Sequence, residues 1–123
     1  MLCSLCGHWL IYQTIHGHRY STDDVCTAFV AIQEIQNSLS LAMDSSHLDL
    51  GTGLGSVLLM LAWKFHPSMS SKNNGVVISK SIGIEAQECN ANLADRSIAI
   101  NGCENTCKIL NRDIATVIAG TTF

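Results

Sequence analysis

The sequence predicts an α/β fold in which parallel strands alternate with helices and a ligand is held at one end of the sheet. Three observations predict it. The run His47-Leu48-Asp49-Leu50 carries an acid in an apolar setting, three glycines follow at alternate positions, Gly51, Gly53 and Gly55, and an amphipathic run from Val57 to Phe65 comes straight after. A second apolar run ends on Glu85 and leads into another helical pattern, Glu88 to Asn101. A third short run, Thr106 to Leu110, follows that helix. Strand, glycine turn and helix in this order aim the first amides of the helix at a ligand. Glycine suits the turn because it reaches backbone angles closed to other residues and lets a ligand approach the main chain.

Composition sets the frame. A chain of 123 residues forms one small domain with a real core, and 47% hydrophobic against 14% charged residues argues against disorder. The net charge of -3 leaves no electrostatic footprint for nucleic acid in these residues. No basic segment precedes an apolar stretch at the start, and the longest apolar run, Val57 to Trp63, is far too short to span a bilayer. The expectation is an intracellular, cytoplasmic protein with no membrane partner. Of the six cysteines, Cys3 and Cys6 form a C-x-x-C and Cys103 and Cys107 lie four apart. A zinc site from the two pairs is one reading, and free, partly buried thiols in a reducing compartment are the favoured one.

In chain order, Met1 to Gly17 shows little pattern beyond a short strand at Trp9 to Tyr12 and a turn at His16-Gly17-His18. Ser21 or Thr22 caps a helix with Asp23 and Asp24 in its positively polarised first turn, and Val25, Ala28, Phe29 and Ile32 recur at the spacing of one buried face. Asn37 to Ser46 is a polar connection, and His47 to Leu50 is the first strand of the parallel unit. The next helix carries Leu54, Val57, Leu58, Leu61, Ala62 and Phe65 on one stripe, and Pro67 ends it. Ser68 to Asn74, closed by Gly75, reads as a flexible insertion, longer than the usual connection of about 2–6 residues. Val76 to Ile78 and Ile82 to Ile84 form the second strand with a break at Ser79 to Ser81. Glu85 then stands where an acid accepts hydrogen bonds from ribose hydroxyls in folds of this kind. Leu93, Ala94, Ile98 and Ile100 face the sheet from the following helix, which Asn101-Gly102 stops. After the third strand, Asp113 is either a helix cap or a ligand contact.

The string Asp49-Leu50-Gly51-Thr52-Gly53-x-Gly55 resembles motif I of the class I S-adenosylmethionine (SAM)-dependent methyltransferases and departs from the dinucleotide pattern, whose third glycine comes one residue later. Gly17-x-Arg19-Tyr20-Ser21-x-Asp23, with Gln13 before it, is similar to a stretch of the tRNA adenine methyltransferase branch that borders the cofactor pocket. Gly83-Ile84-Glu85-x-Gln87 is similar to motif II of that branch, and the helix ending Ile100-Asn101-Gly102 also matches it.

The resemblance implies a Rossmann-like class I methyltransferase fold, incomplete, with about three parallel strands, flanking helices and a preceding N-terminal helix. It divides the chain into a segment 1–45 with a capping helix and a partial SAM-binding domain 46–123. It implies SAM as cofactor, with Asp49, Gly51, Thr52, Gly53 and Gly55 around the methionine end, Glu85 on the ribose, Asp113 on the adenine amine, and Arg19 to Asp23 as a flanking wall.

The implied reaction is methyl transfer to a nitrogen, in adenine of tRNA; protein glutamine methylation of the HemK-like type, or a non-catalytic SAM-binding module, are the alternatives. The family's catalytic Asn-Pro-Pro-aromatic motif does not occur, since the chain has a single proline, Pro67. The chain therefore reads as the cofactor-holding part alone, with no catalytic residue of its own and tRNA engaged through a C-terminal half. A sheet edge left open would favour a partner chain or self-association and marginal stability.

Overall fold

A computed structural model describes residues 1–17, 19–38 and 44–120. The chain begins with an antiparallel hairpin, β1 (Leu2–Cys6) and β2 (Trp9–Tyr12), followed by helix α1 (Thr22–Ser38). Strand β3 (Asp44–Leu50), helix α2 (Ser56–Lys64), a 3-10 segment (Pro67–Asn73), strand β4 (Val77–Ile84), helix α3 (Glu88–Ile100), strand β5 (Cys107–Leu110) and helix α4 (Ile114–Gly120) complete the order. The sheet runs β3-β4-β5 with both pairings parallel. Leu50, Ile84 and Leu110 fall in one row across it, so the loops after all three strands leave the sheet at the same end. No helix among the described residues is long and apolar enough to cross a membrane.

Residues paired across parallel strands share a face. One face carries Cys107 and Ile109, which join Leu58, Leu59, Ala62, Ala91, Ala94, Ile98, Cys103 and the hairpin's Trp9 in the main core. On the other face Leu48 and Leu50 of β3 are exposed, while Ile84 beside Leu50 is fully buried.

Several expectations change. Helix α2 is buried almost all round rather than along one stripe, because the sheet, α1 and the hairpin surround it. Val25 and Phe29 of α1 are exposed, and its packing face is Ala28, Ala31, Ile32 and Ile35. Ala31, Ile32 and Ile35 pack on the cluster of Leu61, Phe65, Val76 and Ile78, and Val25 and Phe29 lie off that face. Ile100 is likewise exposed, and Ser97 with Ala91, Ala94 and Ile98 forms the buried side of α3. Strand β4 is continuous; the expected break is a bulge, since Ser45 pairs with Ile78 and Ser46 with Lys80, leaving Ser79 unpaired. The Ser79 hydroxyl turns to donate to Asp44 Oδ1 at 2.6 Å.

The polar stretch after Pro67 is an ordered 3-10 segment rather than a loose insertion. Asn73, itself buried, pins it by donating to the carbonyls of Lys64 (2.8 Å) and Met69 (3.1 Å). Strand β3 starts at Asp44, inside the predicted connection, and part of that connection, with His18 of the predicted turn, lies outside the described residues. All six cysteines are free thiols, and among the described residues no cluster of three or more His, Cys, Asp or Glu could hold a metal ion. Burial pushes the Cys6 thiol up to about 11, which keeps it protonated at neutral pH.

The hairpin docks through α3. Asn101 accepts from Leu10 N–H at 2.8 Å and donates to Leu10 C=O at 2.7 Å, so its amide completes the outer edge of β2 as a neighbouring strand would. Ser97 Oγ accepts from Tyr12 N–H at 2.8 Å, and the Arg96 guanidinium lies 4.2 Å above the Tyr12 ring. At the hairpin turn Gly7 has φ 54°, and a Cβ there would come within 2.9 Å of the Trp63 indole. Asn101→Ala strands two backbone groups of Leu10 and is expected to cost about 2 kcal/mol, a fall in melting temperature of roughly 5–10 °C. Calorimetry checks it, and an unchanged melt would show that water replaces the amide.

Candidate functional site

The site is built where the three parallel strands end. Beyond Leu50 the chain alternates into the left-handed region at Gly51 (φ 71°), Gly53 (φ 60°) and Gly55 (φ 85°), where Gly55 caps α2. Between the first two glycines Thr52 points inward and is buried. Its N–H donates to Ile84 C=O at 2.9 Å and its hydroxyl to Asp49 Oδ2 at 2.8 Å, fastening the loop to β4 and to the acid of β3. The Gly55 N–H closes the turn on Thr52 C=O at 2.9 Å. A Cβ on Gly83 would lie 2.8 Å from the Thr52 methyl, so Thr52 occupies the space glycine leaves on β4. A Cβ on Gly51 would meet nothing within 4 Å, so this side of the loop is open.

Glu85 reaches back across the strand ends. Its Oε2 accepts from Gly53 N–H at 2.8 Å and its Oε1 from Gln87 N–H at 3.0 Å. Its own N–H donates to Leu110 C=O at 3.0 Å, tying the β4 end to β5. From the next loop Asn111 donates to Glu85 C=O (2.8 Å) and Ala86 C=O (3.1 Å). Asp113 Oδ1 accepts from Ala115 N–H at 2.8 Å, so one oxygen caps α4. Thus Asp49, Thr52, Gly53, Gly55 and Glu85 form one hydrogen-bonded unit, with Gly51 in the same loop, and Asp113 follows on the loop that Asn111 joins to it.

Arg19 is held differently. Its guanidinium donates to Thr14 C=O at 3.2 Å and to Ile15 C=O, and it lines an open cavity of about 560 Å³ with Cys3, Gln13, Tyr20, Ser21, Thr22 and Val25. Gln13, buried, fixes this stretch by accepting from Tyr20 N–H at 2.8 Å. Among the described residues no hydrogen bond joins Arg19 to the glycine loop. The first turn of α1 does reach the site electrostatically, because the charge of Asp24 acts on Asp49. A groove of about 420 Å³ beside Glu34, Ser45 and His47 lies along the unpaired edge of β3, away from the strand ends.

Burial raises the pKa of Asp49 above the ordinary carboxylate value, against the Thr52 hydrogen bond and the His47 charge, which lower it. Burial lowers that of His47, which neighbouring Asp49 partly offsets. A raised acid pKa means that the folded state binds the proton more tightly than the unfolded one. Its contribution to stability is therefore complete below the unfolded value of 3.8 and is lost as pH rises through the folded pKa. The lowered His47 value acts in the opposite sense and costs stability as pH falls through 6.5. Asp49→Asn keeps an acceptor for Thr52 without the buried charge, so it is expected to melt above the wild type at pH 7. The gap should narrow as pH falls toward 4, and melts at several pH values check both signs.

Sequence reasoning missed two residues here. Gly83 was read only as part of a phrase, and its role appears only when β3 and β4 are paired. Asn111 gave no pattern signal, because its partners are carbonyls 25 and 26 residues away.

No protein-family model matches the chain, and no curated protein matches it. Solved structures do. A protein assigned as a methyltransferase, yhhF of Escherichia coli, superposes with a TM-score of 0.63 at 10% identity over 97% of this chain and 57% of its own. A Plasmodium falciparum protein described as a protein-L-isoaspartate O-methyltransferase, in complex with S-adenosyl-L-homocysteine, gives 0.55 at 21% over 87% and 46%. The tRNA (m1A58) methyltransferase TrmI of Aquifex aeolicus gives 0.52 at 18% over 85% and 34%. The chain thus spans about a third to somewhat over half the length of these structures. Their shared architecture is the Rossmann-like methyltransferase fold, and this chain has it.

Proposed function

We propose that these residues are the cofactor-holding part of a SAM-dependent methyltransferase. One observation carries the reading: the Glu85 carboxylate, bound to the Gly53 amide at 2.8 Å, locks the acid that ends one strand to the glycine loop that ends its neighbour. The donor set fits SAM. Its ammonium group suits the half-buried carboxylate of Asp49, its ribose hydroxyls suit Glu85, and its adenine amine suits the oxygen of Asp113 that does not cap α4. The open side of Gly51 leaves main chain for the methionine portion to approach. The Plasmodium neighbour, which holds S-adenosyl-L-homocysteine on the same fold, supports it.

When bound, SAM supplies a methyl group already activated by its sulfonium, so transfer needs positioning more than acid-base help. The chain's own part is to bind and orient. Thr52 fastens the loop to β4 and to Asp49, and Asp49 and Glu85 are fixed before any ligand arrives, which lowers the ordering cost of binding. For the acceptor we favour a nitrogen of adenine in tRNA. The Gly17 to Asp23 phrase supports it, and the Gln13–Tyr20 hydrogen bond shows that phrase to be built into the fold. None of the 123 residues is assigned to orienting the acceptor.

Isothermal titration of the purified chain with SAM, and with NAD as control, tests the reading. Saturable binding of SAM alone is expected. A folded chain that binds neither, or that prefers NAD, overturns it.

A further inference from the structure

The loop after β5 does more than carry Asp113. The Asn111 side-chain amide donates to two successive carbonyls, Glu85 and Ala86, at 2.8 and 3.1 Å. These are the residues at which β4 turns away from the sheet, and the main chain ties this level to β5 by Glu85 N–H to Leu110 C=O at 3.0 Å. The two N–H groups of one exposed asparagine add a side-chain clamp that fastens the turn after β4 to the turn after β5. Asp113 lies two residues beyond the clamp and is itself held rigid by capping α4 at 2.8 Å. On the other side of the clamp both carboxylate oxygens of Glu85 are already spoken for by main-chain donors, at 2.8 and 3.0 Å.

We infer that Asn111 is a positioning residue that sets the spacing between Glu85 and Asp113, and thereby selects ligands in which a sugar diol and a base amine stand at that separation. This rests on the cofactor reading above. Asn111 touches no ligand in this scheme; it acts through the backbone of Glu85 and Ala86. The chemistry requires a donor, since both of its partners are carbonyl oxygens. Asparagine supplies two N–H groups on one nitrogen, whereas aspartate of the same shape supplies none when ionised and would face the two carbonyls with like partial charge.

The experiment titrates the wild type, Asn111→Ala and Asn111→Asp with S-adenosyl-L-homocysteine at pH 7 and pH 4, and records ligand-free melts and amide spectra of each. Asn111→Ala is expected to bind about tenfold more weakly with a nearly unchanged ligand-free melt. The Gly53 and Gln87 amide resonances, which report the bonds to Glu85, should shift. Asn111→Asp is expected to bind more weakly than the alanine variant at pH 7 and to recover relative to it at pH 4, where about half of an ordinary aspartate is protonated and regains one donor; a packing role alone would produce no such reversal. Its isosteric shape keeps the test available should the alanine variant not fold. Wild-type binding with both variants unchanged overturns the clamp and leaves the cofactor reading standing. A folded wild type that binds no S-adenosyl-L-homocysteine overturns both.

Discussion

Glu85→Ala is expected to weaken SAM binding by about two orders of magnitude, the largest loss of any single substitution in the site. Two effects combine. On the proposed reading the ribose loses its acceptor, and a hydrogen bond to a charged group is worth roughly 1.5–3 kcal/mol. The glycine loop also loses its anchor, because Gly53 N–H donates to this carboxylate across 32 residues of sequence at 2.8 Å. Ligand binding then has to order a loop that the wild type holds ready. Glu85→Gln separates the two parts. Its carbonyl oxygen still accepts from Gly53, while its amide turns a donor toward the N–H of Gln87, so a loss of about tenfold is expected. Calorimetric titration of the variants decides, and wild-type affinity in Glu85→Ala would mean that neither a ribose contact nor the loop anchor contributes to binding.

Gly83→Ala is the substitution expected to harm fold and site together. The added Cβ would lie 2.8–2.9 Å from the Cγ2, Cβ and Oγ1 atoms of Thr52. Thr52 is only 7% exposed and is held by two hydrogen bonds, to Ile84 C=O and Asp49, so it has little room to retreat. Overpacking of this kind costs about 1–3 kcal/mol, a melting temperature lower by roughly 5–15 °C. Since Thr52 can yield only by moving the glycine loop, SAM affinity should fall along with stability. Thermal melts with and without saturating SAM check both, and a variant that melts and binds as the wild type would show the contact to be soft.

The order strand, glycine loop, helix, strand, acid was legible because each step has a local cause. Alternating glycines announce left-handed turns, Asn101-Gly102 stops a helix, and an acid after an apolar run marks a strand end. What was not legible depends on neighbours. Val25 and Phe29 have the spacing of a buried face, yet the side of α1 that packs is the one where Ala31, Ile32 and Ile35 meet Leu61, Phe65, Val76 and Ile78. Strand β1 is cysteine-rich and weakly alternating, and it becomes a strand because β2 pairs with it. Ser79 looked like a break because a bulge and a gap read alike without the partner strand. In the site, Asp49, Thr52 and Glu85 were found from motif order, whereas Asn111 and the packing duty of Gly83 exist only in three dimensions. Arg19 was placed on the pocket wall by resemblance, and its own bonds go instead to the carbonyls of its loop.

The Asn101 amide that edges β2 has a consequence for the order of events as the chain is made. Leu10 and Asn101 are separated by 91 residues, and Tyr12 and Ser97 by 85. The hairpin can close on itself early, but its hydrogen bonds to α3 cannot form until α3 has been made and folded. Trp9, which the finished protein buries in a cluster shared with α2, α3 and β5, lacks part of its cover throughout that interval. The hairpin is thus fastened to α3 only after most of the parallel unit has been made, and Trp9 is an aromatic that a chaperone could meet in the meantime.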